Sequence, residues 1–186
     1  RVLRSGQIGA VCGARDIVGQ QVDRIPGRLR GCGVTDPVRV AEVAGVRLSR
    51  ATTMDCETAR ALRTWVETGL KPVVGRLGGG PARLDVAAGY ACRTINSLPG
   101  GSISEHGKGK AIDISGITLR NGQTITVEDG WRRRNEGKVL RGLHRAACGP
   151  FNTPDQALSR APLGSNGASS RIRALCGLPK MNTSTA

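Results

Sequence analysis

Six cysteines constrain this chain more than any other feature. Cys12, Cys32, Cys56, Cys92, Cys148 and Cys176 are spread from end to end, and no two form a Cys-x-x-Cys pair. With only two histidines in the chain, the Cys/His spacing of a structural zinc site is absent. An even number of dispersed cysteines points to a disulfide framework and so to an oxidising compartment. The alternative is a set of buried reduced thiols in a cytosolic protein. The 186 residues allow one domain with a core and a tail. That core must come from Val, Leu, Ile and Ala, because aromatic residues make up only 2% of the chain.

A net charge of +14 calls for an anionic partner: nucleic acid, an anionic lipid surface or an acidic cell-wall polymer. The basic residues are scattered, and the longest block is Arg132–Arg133–Arg134. Nucleic-acid modules usually concentrate charge and interleave aromatics for stacking, so that partner is disfavoured. No stretch approaches the roughly 18 apolar residues of a membrane span. The opening Arg1-Val2-Leu3-Arg4 has no initiator Met and no leader pattern, which suggests a processed or truncated start.

Residues 1–36, punctuated by Cys12-Gly13, Pro26-Gly27 and Cys32-Gly33, read as irregular. Short strands are expected around Val38–Val40 and Val46–Leu48. A helix is expected from about Asp55 to Thr68, capped by Thr53 or Asp55 and closed by Gly69. Ala59, Leu62 and Val66, with Trp65, form its core stripe. Gly78-Gly79-Gly80-Pro81 lacks the lysine of a phosphate-binding loop and reads as a turn. A strand over Leu84–Tyr90 and a loop at Leu98-Pro99-Gly100-Gly101 follow. Ala111–Leu119 alternates, with Ile112, Ile114 and Ile117 against Asp113 and Ser115. Asn121-Gly122 then signals a hairpin, with Thr124–Val127 as the return strand. A second helix is expected over Glu136–Ala147, capped by Asn135, with Val139, Leu140, Leu143 and Ala147 inward. Residues 152–186 show no sustained period and read as a poorly ordered, atypical tail behind a domain at 37–151.

The stretch Ser104-Glu105-His106-Gly107-Lys108-Gly109-Lys110-Ala111-Ile112-Asp113 carries the chemistry. It leads from a glycine-rich loop into the hairpin strand, and Gly107 and Gly109 permit a return that brings His106 towards Asp113. An imidazole nitrogen and a carboxylate oxygen form part of a zinc ligand set, and Ser104 is placed to orient a ligand. On spacing alone this is weak evidence, because a lone polar-loop His is usually solvated, a strand Asp often caps a turn, and a zinc site needs at least three protein ligands.

The stretch matches Ser-x-His-x-x-Gly-x-Ala-x-Asp, the motif of D-Ala-D-Ala-type zinc carboxypeptidases. The flanking segments narrow the likeness. Cys12-Gly13, Gly31-Cys32-Gly33-Val34-Thr35-Asp36-Pro37-Val38, Asp55-Cys56-Glu57-Thr58-Ala59 through Trp65, Tyr90-Ala91-Cys92-Arg93 with Asn96, Asn121-Gly122, Trp131 and Ala147-Cys148-Gly149-Pro150-Phe151 resemble the bacterial extensin-like C-terminal family. Ile95 departs from it, where the family more often has Arg. The resemblance implies an α+β fold with a small antiparallel sheet and flanking helices, like the LAS-type peptidases. It also implies periplasmic or secreted localisation and a cell-envelope role on peptidoglycan. By motif, His106 and Asp113 take the first two zinc positions. Arg93 lies near the site, either to hold a substrate carboxylate or as an ordinary surface charge. Cys12, Cys32, Cys56, Cys92 and Cys148 are disulfide candidates, most of them expected to be bridged.

Such proteins follow the Gly-Pro-Phe segment with a second metal motif, His-x-His. No histidine follows His144 here, and His144 reads as a helix-boundary residue. Glu105 adjoins His106, but neighbouring loop residues point apart, so no general base is identified. The expectation is a peptidase-like domain without hydrolytic competence, its zinc site two ligands deep. The rival is a non-catalytic basic module on an anionic wall polymer. For the tail, a reading-frame shift after about Phe151 is one account, and a degenerate metal-free homologue the other.

Overall fold

The computed structural model describes residues 7–151. The tail expected after Phe151, and with it the frame-shift reading, lies outside them. The N-terminal segment is not irregular throughout. Strands β1 (Ile8–Val11) and β2 (Ala14–Gln21) form a hairpin, with Cys12 and Gly13 at positive φ in its turn. The apolar alternation there is too weak to see: only Val11, Ile17 and Gly19 face inward and are buried.

A two-stranded ribbon of β3 (Ile25–Pro26) and β4 (Gly33–Val34) follows. Strands β5 (Pro37–Val43) and β6 (Val46–Asp55) then pair as a hairpin turned at Ala44 and Gly45. With β7 (Pro81–Ala88), β8 (Asp113–Leu119) and β9 (Thr124–Thr126) they complete a seven-stranded sheet. Its order is β1-β2-β5-β6-β7-β8-β9. Every neighbouring pair is antiparallel except β6 and β7. A parallel pair needs a crossover, which the helical segment between them supplies. This is the expected α+β class with a mostly antiparallel sheet.

The crossover is longer than expected. Helix α1 (Cys56–Trp65) starts at Asp55, whose carboxylate accepts from Thr58 N–H at 2.7 Å. It runs on through a π-helical turn, Val66–Leu70, into α2 (Lys71–Val74). Gly69 therefore does not end the helix; Gly75 does, at φ +55°. Gly69 serves packing instead: a Cβ there would stand 2.8 Å from Ala146 Cβ and 3.1 Å from the Trp65 ring.

The hairpin at Asn121-Gly122 forms as expected, Gly122 at φ +87°. After it come α3 (Val127–Gly130), capped by Thr126, and α4 (Arg134–Ala147). Helix α4 begins two residues earlier than expected, with Arg133 as its N-cap and no side-chain cap from Asn135. Its inward residues Leu140, Leu143 and Ala147 are buried, and the Trp65 indole N–H donates to Leu143 C=O at 3.1 Å. One apolar cluster unites both layers, from Ile17, Val38, Val40 and Met54 to Leu62, Leu84, Ile117 and Leu140.

Disulfides Cys12–Cys56 and Cys32–Cys92 tie the N-terminal strands to α1 and to the loop after β7. Cys148 is disulfide-bonded as well. No helix among the described residues is long and apolar enough to cross a membrane.

Candidate metal centre

The site is built where the chain leaves β7 and re-enters the sheet at β8. Past Ala88, Gly89 lies so close to β6 that a Cβ would overlap the Thr52 methyl, and Tyr90 N–H donates to Thr53 C=O at 3.1 Å. The loop then doubles back on itself. Ala91 N–H donates to His106 C=O at 3.1 Å, Ser104 N–H to Arg93 C=O at 3.0 Å, and Ile95 N–H to Ser102 C=O at 2.8 Å. This short ladder holds residues 102–106 against residues 91–95.

A 3₁₀ turn, Glu105–Lys108, follows and ends on Gly109 at φ +73°. Gly109 C=O accepts from Asp55 N–H at 2.9 Å, which pins the turn to the start of α1. Of the two glycines expected to bend the chain, only Gly109 needs its positive φ. Gly107 is needed for space, since a Cβ there would meet Ile103 Cγ2 at 2.9 Å and Cys32 Sγ at 3.0 Å. The Cys32–Cys92 disulfide therefore packs directly beneath the turn that presents His106.

The structure brings His106 and Asp113 together. His106 Nε2 stands 3.4 Å from Asp113 Oδ1, and the two residues are 3% and 1% exposed. They lie inside the protein rather than along an open groove. His106 Nδ1 is 2.7 Å from Gly89 C=O. A carbonyl can only accept, so Nδ1 carries the hydrogen, and Nε2 is the nitrogen presented to Asp113. For His106 the Gly89 carbonyl makes the orienting contact, and a backbone acceptor leaves no residue-type signal to read.

Ser104 is buried and acts through its backbone, donating to Arg93 C=O and accepting from Gly107 N–H at 2.8 Å. Arg93 is half-buried, and its guanidinium makes no ion pair among the described residues. Glu105 is engaged by Lys108 Nζ at 2.6 Å, which removes it further from a role as base. His144 sits on α4, edge-to-face with Trp131 at 6.1 Å between ring centroids. Among the described residues no group of three or more His, Cys, Asp or Glu side chains converges.

The model of the family described as extensin-like protein C-terminus matches residues 11–156. The chain belongs to that family. The match takes in both described disulfides, the loop bearing His106 and Asp113, and Cys148, so the extensin-like domain is the folded body described above. Neither the curated proteins nor the solved structures searched gave a match.

Proposed function

We propose that this extensin-like domain is a peptidase-like envelope protein that keeps two of the ligands of a zinc site and does not hydrolyse peptide bonds. The observation that supports it most is the 3.4 Å separation of His106 Nε2 and Asp113 Oδ1. Two donors each about 2.1 Å from one tetrahedral ion stand about 3.4 Å apart. A hydrogen bond from the far ring nitrogen to a backbone carbonyl is also how metal-binding histidines are commonly oriented.

His106 Nε2 and Asp113 Oδ1 would hold the ion. Bound zinc supplies a Lewis acid and an activated water to amide hydrolysis. Among the described residues no third ligand joins the pair. A catalytic zinc takes three protein ligands, and the sequence has no histidine beyond His144. Disulfide-bonded cysteines fit a secreted or periplasmic setting, and a peptidoglycan stem peptide is the substrate class on which the proposal is tested.

Incubation of the full chain with D-Ala-terminated stem peptides and zinc, followed by mass spectrometry, should return the peptides intact. Zinc-dependent release of a terminal residue, abolished by His106→Ala, would overturn the non-hydrolytic reading.

A further inference from the structure

Helix α4 divides its residues sharply. At about 100° per residue, Arg134, Lys138, Arg141 and Arg145 fall within an arc of about 60°. Leu140, Leu143 and Ala147 occupy the opposite side and are buried. The four cations are exposed and form a single row about 16 Å long, from the 1.5 Å rise per residue. Arg134, Lys138 and Arg145 have no ion-pair partner among the described residues, and Arg141 reaches only the Trp131 carbonyl, at 3.3 Å. The one acidic residue of the helix, Glu136, lies off the row and is taken by Arg133 at 3.2 Å.

Within the fold only Arg145, in the last turn, is favoured by the helix dipole. Like charges three and four residues apart on a helix repel. Arg132, Arg133 and Arg134 add positive charge where the helix dipole is already positive, and the N-cap Arg133 makes no side-chain capping bond. The first-turn N–H groups there remain as further anion donors.

We propose that the outer face of α4 docks a linear acidic polysaccharide, one extended chain of carboxylates laid along the row. A straight single row fits one extended polyanion. A lipid surface would be met by apolar side chains beside the charges, but those of α4 are spent on the core. For single-stranded nucleic acid the face offers no aromatic platform, since Trp131 is half-buried against His144, and duplex DNA is an arm of the test. The choice of a polysaccharide rests on the envelope reading above; the cationic row does not.

The probe is polygalacturonate, with neutral dextran, duplex DNA and phosphatidylglycerol vesicles alongside, all titrated against the full chain at rising salt. One variant carries Arg134→Gln, Lys138→Gln, Arg141→Gln and Arg145→Gln. The control removes the same charge elsewhere, with Arg24→Gln, Arg28→Gln, Arg30→Gln and Arg39→Gln, all exposed positions. Circular dichroism melts establish that both fold. Salt-sensitive binding to polygalacturonate, weakened more than about tenfold in the α4 variant and less than about threefold in the control, is the expected result. It should persist in a chelator, whatever the zinc assays return. Equal losses in both variants, no binding to polygalacturonate, or tighter binding to DNA or vesicles would each overturn the proposal.

Discussion

At the residue scale, the candidate centre depends on small side chains as much as on His106 and Asp113. Gly107 sits against Ile103 and the Cys32 sulfur with no room for a methyl. Gly107→Ala should therefore cost about 1–3 kcal/mol from overpacking, read as a lower urea midpoint with the slope unchanged. A midpoint equal to the parent's would mean that the turn has slack and that His106 is not rigidly held. The pairing of His106 with Asp113 was legible in the sequence because the motif spacing and the glycines both pointed to it. The partner of Nδ1 was not, because Gly89 enters only through a carbonyl that the β6–β7 approach places at 2.7 Å.

At the element scale, propensity and packing part company at Gly69. As a helix-interior residue it should gain about 1 kcal/mol on replacement by Ala. Its missing Cβ, however, is what lets the Val66–Leu70 turn lie against Ala146 and Trp65. Packing wins this contest, so Gly69→Ala should lower the melting temperature; a rise would show that α4 can shift outward without loss. The same residue explains why the helix was expected to stop there, since a glycine that permits a close crossing looks like a terminator in sequence. In β8 the sequence placed Ile114 and Ile117 on one face although they are an odd number apart. A bulge makes this so: Ile114 pairs with Val86 and Ile117 with Leu84, positions two apart on β7.

The bond between β2 and α1 makes an electrostatic prediction at this scale. Arg63 Nε lies 2.6 Å from Asp16 Oδ2, and that hydrogen bond holds the Asp16 carboxyl below its ordinary value of 3.8. Because the folded value is the lower one, the stability Asp16 contributes is present above 3.8 and is lost as pH falls through the folded value. The pair is part-exposed, so the effect is small and weakens with salt. Urea midpoints taken at descending acidic pH should fall less steeply in Arg63→Gln than in the parent. Parallel curves would show that the contact carries no pH-dependent stability.

For the whole molecule, the two cross-links between described residues, of sequence separation 44 and 60, help hold a chain with few aromatics. In the chain-entropy account each is worth up to about 4 kcal/mol. Their existence was readable from the even, dispersed cysteines. Their partners were not, because connectivity depends on which loops the sheet order brings together, and the β1–β2 hairpin was hidden by weak alternation. Peptide mapping without reductant should recover Cys12 linked to Cys56 and Cys32 to Cys92. Other pairings would mean that the ladder beneath His106 is built differently. The fold is otherwise that of an extensin-like domain with a buried His106–Asp113 pair, on which the proposed function rests. Calorimetric titration of zinc into the full chain, beside His106→Ala and Asp113→Ala, tests it most directly. Weak one-to-one binding in the parent, abolished in both variants, is the expected result; unchanged binding in either variant, or sub-micromolar binding in the parent, would contradict it.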